Sequence, residues 1–164
     1  MRPTNSGYLL DHVSSILHRQ ADQIIQEQLG IGLSQFKILE LLESWPRTNQ
    51  RSLASLLGQT EASISRQIKL LQQKGLLLTQ VDPAEHRRHL AVLTAKGIKL
   101  TVAAREIAGQ FHRQTLAGLN QREQEQLFKL LTALHEVSCA PGRRLACDRP
   151  GDIETLYSNQ TSAL

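Results

Sequence analysis

The chain is short of several things, and each shortage closes off a class of protein. It has 2 cysteines, Cys139 and Cys147, in 164 residues. That is too few for a disulfide scaffold, so the expected compartment is a reducing cytoplasm. Its longest apolar runs are a few residues, such as Leu76-Leu77-Leu78. A membrane span needs about 20, so no membrane partner is expected. No basic stretch followed by an apolar one marks the start, so no secretory signal is read there. Aromatic residues make up 4% of the chain, while Leu, Gln and Ala are plentiful, which favours helices over a β-sandwich. Only 5 Pro and 10 Gly stand against 40% hydrophobic residues, so wholesale disorder is excluded. No P-loop, GxSxG or HExxH is present, so no enzymatic activity and no cofactor are expected.

What is there is a basic middle. The formal charge is +4 overall, but it divides unevenly. Residues 1–46 carry −2, residues 47–94 carry +4, residues 95–137 carry +2, and residues 138–164 are neutral. A local basic excess is the footprint of a polyanion binder, and the plain alternative is an unevenly charged solvated surface.

Hydrophobic periodicity places the elements. Leu9, Leu10, Val13, Ile16, Leu17, Ala21, Ile24 and Ile25 recur at helical spacing over about 8–29, with Gly30 as a stop. Gly32 or Ser34 caps a second helix that ends before Trp45-Pro46. A short helix over about 51–57 is broken by Gly58, and Thr60 caps the next, about 61–74. The inward positions of that helix are Ile64, Ile68 and Leu71, with Ala62 a further candidate, and Gly75 closes it. Residues 76–81 and 89–94 form a hairpin whose tip is Asp82-Pro83-Ala84-Glu85-His86-Arg87-Arg88. Thr94 caps a helix over about 95–117. Asn120 and Glu123 form a capping-box pair before a last helix, whose apolar face runs from Leu127 to Val137. From Cys139 onward the composition changes, and 138–164 reads as a mobile tail.

The expected fold class is mainly α with a small β-hairpin. Helix, Gly turn, helix and hairpin, in that order, make a winged helix-turn-helix. The helix at about 61–74 spans about 21 Å and fits a major groove roughly 12 Å wide. Its outward residues are small or polar, with Ser63, Ser65, Arg66, Gln67 and Lys69 among them. Arg66 suits a bidentate pair with guanine, and Gln67 one with adenine. Arginines on the hairpin suit the minor groove, where negative potential concentrates.

Over roughly residues 8–137 the sequence resembles the multiple antibiotic resistance regulator (MarR) family of bacterial transcription factors. The stretches that carry this are Gln35-Phe36-Lys37-Ile38-Leu39, Leu53-Ala54-Ser55-Leu56-Leu57-Gly58, Ser63 to Leu71, Lys74-Gly75-Leu76, Asp82 to Arg87 and Leu93-Thr94-Ala95-Lys96-Gly97. The family's wing usually reads Asp-Pro-x-Asp-x-Arg, then Leu-Thr-x-x-Gly, and Glu85 here replaces the second Asp. The resemblance implies one domain over 1–137. Helices at about 8–29 and 95–137 would dimerise, and a lobe over about 33–94 would read DNA. It makes Arg87 the wing arginine, flanked by His86 and Arg88. Thr60, Ala62, Ser63, Ser65, Arg66, Gln67 and Lys69 become recognition-helix contacts, with Arg51 and Ser52 on phosphate.

The expected function is a sequence-specific DNA-binding regulator, a repressor. It would bind double-stranded DNA as a homodimer on a pseudo-palindromic operator and be released by a small-molecule effector or an oxidant. A cleft beside the first two helices, with His12, Ile16 and Phe36, is the candidate effector site from the family's layout. Two alternatives remain open at this point: a thiol sensor using Cys139 and Cys147, and a winged-helix protein-interaction module with no DNA role. His135, Cys139 and Cys147 do not have the spacing of a zinc motif, so no metal is expected.

Overall fold

The computed structural model describes residues 5–46, 48–81 and 89–138. They form six helices and one two-stranded sheet: α1 (Ser6–Leu29), α2 (Leu33–Ser44), α3 (Gln50–Leu57), α4 (Glu61–Gln73), β1 (Leu77–Val81), β2 (His89–Leu93), α5 (Ala95–Leu116) and α6 (Gln121–Ser138). The expected elements are all present, in order. The mainly helical fold with a small hairpin is that of a winged helix-turn-helix.

Local chemistry sets the boundaries. α1 starts two residues before its apolar pattern because Asn5 caps it, its side chain accepting from the Tyr8 N–H at 3.2 Å. Asn49 caps α3, accepting from the Ser52 N–H at 2.8 Å. α3 and α4 end in the same way. After α4, the Leu76 N–H donates to the Leu71 carbonyl and the Gly75 N–H to the Gln72 carbonyl, with Gly75 at φ 70°. After α3, Gln59 and Gly58 repeat the pattern onto Ala54 and Ser55, with Gly58 at φ 61°. Both helices therefore stop on a left-handed residue that only glycine adopts freely.

The described residues divide into two compact units between Ala108 and Gly109, inside α5. The core lies in the first. Ile25, Ile31, Ile38, Leu39, Leu42, Leu53, Ile64, Leu71, Leu76 and Leu77 are all fully buried there. β1 and β2 pair antiparallel, from Leu77 opposite Leu93 to Val81 opposite His89. In the second unit, Asn120 and Glu123 make the expected reciprocal cap. The Glu123 N–H donates to Asn120 Oδ1 at 3.0 Å, and the Asn120 N–H to Glu123 Oε2 at 2.8 Å. No residue of α6 is buried.

The Leu-Thr-x-x-Gly stretch has a physical reason. The Thr94 hydroxyl caps α5, accepting from the Gly97 N–H at 3.0 Å, and donates to the Gly75 carbonyl at 2.8 Å. The Thr94 N–H donates to the Leu76 carbonyl at 3.1 Å. α5 thus starts directly against the turn that ends α4. A Cβ at position 97 would stand 2.2 Å from the Leu76 carbonyl oxygen, so no larger residue fits.

Candidate nucleic-acid interface

α4 divides cleanly into two faces. Ile64, Ile68 and Leu71 point into the core, while Glu61, Ala62, Arg66 and Lys69 are exposed and Ser63, Ser65 and Gln67 are half-buried. Ala62 is therefore not an inward residue. It sits about 180–240° around the helix from Ile64, Ile68 and Leu71 at 100° per residue. Thr60 caps the helix, its hydroxyl accepting from the Ser63 N–H at 3.2 Å. The exposed edge begins small at Ala62 and becomes basic at Arg66 and Lys69. That order lets a backbone approach base edges before cations meet them.

The two residues assigned to phosphate lie on α3. Arg51 is exposed and Ser52 is half-buried, both in the helix's first turn. His86, Arg87 and Arg88 join Val81 to His89 in sequence and lie outside the described residues, as do Cys139 and Cys147.

The residues suggested for an effector differ in exposure. Phe36 is buried in the core of the first unit, Ile16 is half-buried, and His12 is exposed. The His12 ring stacks on Tyr8, centroids 5.8 Å apart. An open depression on α1 is lined by Ser14, Ser15, His18 and Arg19 and includes none of the three.

Four polar residues to which sequence patterns assigned no role hold α2, α4 and their turns in place. Asp22 of α1 accepts from the Leu33 N–H at 2.7 Å, supplying the cap that Gly32 cannot. Gln59 lies in the turn between α3 and α4. Its Nε2 donates to Ser34 Oγ at 2.8 Å, and its Oε1 accepts from the Ser63 hydroxyl at 3.2 Å. Lys74 donates to the Gly30 carbonyl. Arg105 of α5 donates to Glu40 at 3.2 Å and also to Glu43, both on α2. Burial alone would lower the Arg105 pKa, but hydrogen bonds to Glu43 and Glu40 outweigh it and hold it above its ordinary value. The guanidinium therefore stays charged throughout the working pH range.

Comparison with known proteins agrees with this geometry. The MarR family model matches residues 31–89, the span from the start of α2 to the start of β2. The transcriptional regulator HosA of Escherichia coli O111:H- is 28% identical over 97 residues, which is 59% of this chain and 72% of HosA. Among solved structures, the S. aureus MepR–DNA complex is 30% identical, covers 80% of this chain and 96% of MepR, and superposes with a TM-score of 0.68. CouR from Rhodococcus jostii RHA1, solved bound to p-coumaroyl-CoA, shares the fold at 21% identity and a TM-score of 0.68, over 79% of this chain and 91% of CouR. Among the described residues, no helix is long and apolar enough to cross a membrane. With a winged-helix lobe, a basic exposed edge on α4 and relatives of this kind, the chain belongs to the MarR family of DNA-binding transcriptional regulators, and is not an enzyme.

Proposed function

We propose that the chain acts as a homodimeric repressor that reads a pseudo-palindromic operator, one α4 in each half-site. The observation that carries this is the two-faced character of α4. Its Ile64–Ile68–Leu71 face is locked in the core, and its opposite edge presents Ala62, Ser65, Arg66 and Lys69. The MepR structure, solved with DNA, supports the same use of this fold. In this reading Arg66 and Gln67 specify bases. Thr60, Ala62, Ser63, Ser65 and Lys69 line the approach, Arg51 and Ser52 hold phosphate, and the His86–Arg88 segment reaches the minor groove. Phosphate contacts set affinity and its salt dependence, while base contacts set sequence.

Release by a small molecule completes the proposal. It is supported at the level of fold by CouR, whose structure holds p-coumaroyl-CoA. Such a ligand acts only if it binds one spacing of the two reading lobes better than another. The α1 face with His12 and Ile16 is its proposed contact. The test of the DNA reading is selection of bound sequences from a random duplex library. Enrichment of an inverted repeat with half-sites about one helical turn apart is expected. Enrichment of a single asymmetric site, or of nothing, would overturn it.

A further inference from the structure

Both ends of α4 are tied to one place, the corner between α1 and α2. At its N-terminal end, the Ser63 hydroxyl donates to Gln59, and Gln59 donates to Ser34 in the first turn of α2. At its C-terminal end, Lys74, the residue after α4, donates to the carbonyl of Gly30, which closes α1. The corner is itself fixed by Asp22 of α1 on the Leu33 N–H. Lys96 of α5 donates to the Lys74 carbonyl at 2.9 Å, which holds the same turn from the other side.

Two of these contacts look surprising for their residue types. Lys74 is an exposed cation in the basic third of the chain, and a solvated phosphate contact would be its ordinary use. Instead its ammonium lies on a helix C-terminal carbonyl, where the dipole favours a cation. Ser63 sits on the reading helix, yet its hydroxyl proton is turned inward to Gln59. The buried stripe of Ile64, Ile68 and Leu71 fixes the depth of α4. An apolar stripe alone leaves a helix free to rotate and tilt by small amounts, because dispersion is not directional. Hydrogen bonds at both ends remove that freedom.

We propose that Gln59 and Lys74 are positioning residues for sequence discrimination, pinning the two ends of α4 to the α1–α2 corner. They act through the helix and not on DNA. The proposal rests on the reading of α4 as the recognition helix. Discrimination between bases needs side chains held to fractions of an ångström, whereas non-specific phosphate binding tolerates tilt. Loosening either end should therefore lower binding to the right sequence more than to the wrong one. It also follows that motion of α1 relative to α2 shifts one end of α4 relative to the other, since Gln59 is tied to α2 and Lys74 to the end of α1.

The experiment uses the full chain and two duplexes: the tightest one it selects from a random library, and a scrambled one of equal length. Affinity for both is measured against salt for Gln59→Ala, Ser34→Ala, the double variant, Lys74→Met and Lys74→Arg. Gln59→Ala should lower the ratio of specific to non-specific affinity about three- to tenfold. Ser34→Ala should do the same, and the double variant should lose no more than either, because one bridge is broken once. Lys74→Met should lower the ratio with its salt slope unchanged, and Lys74→Arg, which can still donate to Gly30, should restore it. A misfolded fraction lowers both affinities together and cancels in the ratio. An unchanged ratio in Gln59→Ala and Lys74→Met, or additive losses in the Ser34–Gln59 cycle, overturns the proposal. A slope reduced by about one in Lys74→Met makes Lys74 a phosphate contact and does the same. If instead α4 is not the reading helix, Arg66→Ala and Lys69→Ala leave both affinities unchanged, which separates that failure from this one.

Discussion

Two glycines in α5 show how one residue type can carry opposite consequences. In an exposed helix interior, Gly→Ala gains about 1 kcal/mol, because alanine loses less chain freedom on folding. At Gly109 a Cβ would meet only the Arg113 Nη1, at 3.4 Å, and that flexible side chain can move aside. At Gly97 the new carbon would stand 2.2 Å from the Leu76 carbonyl oxygen. That oxygen is held in place because it also accepts from the Thr94 N–H at 3.1 Å, so the backbone must move at a cost of about 1–3 kcal/mol or more. Gly109→Ala should therefore raise the urea midpoint of unfolding and Gly97→Ala should lower it. A stabilised Gly97→Ala would mean that the turn after α4 and the start of α5 are not packed together as described. In this chain the glycine of the Leu-Thr-x-x-Gly stretch is then required by close approach and not by flexibility.

At the scale of elements, some caps with partners three residues away were legible in the sequence, while Asn5 with Tyr8 and Asn49 with Ser52 went unread, and caps with distant partners could not be found there. Thr60 with Ser63, and Asn120 with Glu123, are local in the chain, so residue type and spacing suffice to find them. Gly58 and Gly75 were equally legible as helix stops. The cap of α2 was not. Its N-cap position is Gly32, which has no side chain, and the acceptor comes from Asp22, 11 residues before Leu33. Only the packing of α1 on α2 brings it there. Gln59 was hidden for the same reason, since Ser34 is 25 residues away. The division of α4 into a buried and an exposed face was legible except at Ala62, where weak hydrophobicity left two faces open. For the Asp22 cap, Asp22→Ala should cost about 1 kcal/mol. Asp22→Asn should lose less, because it keeps an acceptor and gives up only the charge at the helix N-terminus, about 0.3–1 kcal/mol. Urea unfolding with an unchanged slope is the measurement. Equal midpoints for Asp22→Ala and the parent chain would show that Leu33 finds its acceptor elsewhere.

For the whole molecule, the decisive feature is apolar surface that a single chain leaves in water. The outer half of α1 exposes Tyr8, Leu9, Leu10 and Val13, and α6 exposes Phe128, Leu130, Leu131, Leu134 and Val137, with Phe128 and Val137 each at 61%. Each helix carries the periodic stripe of a core element, yet α6 buries nothing. Soluble monomers seldom expose apolar stretches of that extent, and an obligate partner surface does. The proposed dimer covers them, and it doubles the +4 of each chain in a particle with two basic reading edges. Light scattering should therefore give twice the 18.3 kDa chain mass. Replacing both Phe128 and Leu134 by Glu should return it to a single chain that keeps its helical circular dichroism, since neither side chain is buried. Losing the second reading helix should weaken binding to the selected inverted repeat at least about a hundredfold, because the two half-sites no longer act together. Binding to one isolated half-site should change little, because α4 is untouched. A parent chain that already runs at 18.3 kDa removes the dimer. A monomeric variant that still holds the full repeat at parental affinity keeps the dimer but removes its role in reading DNA.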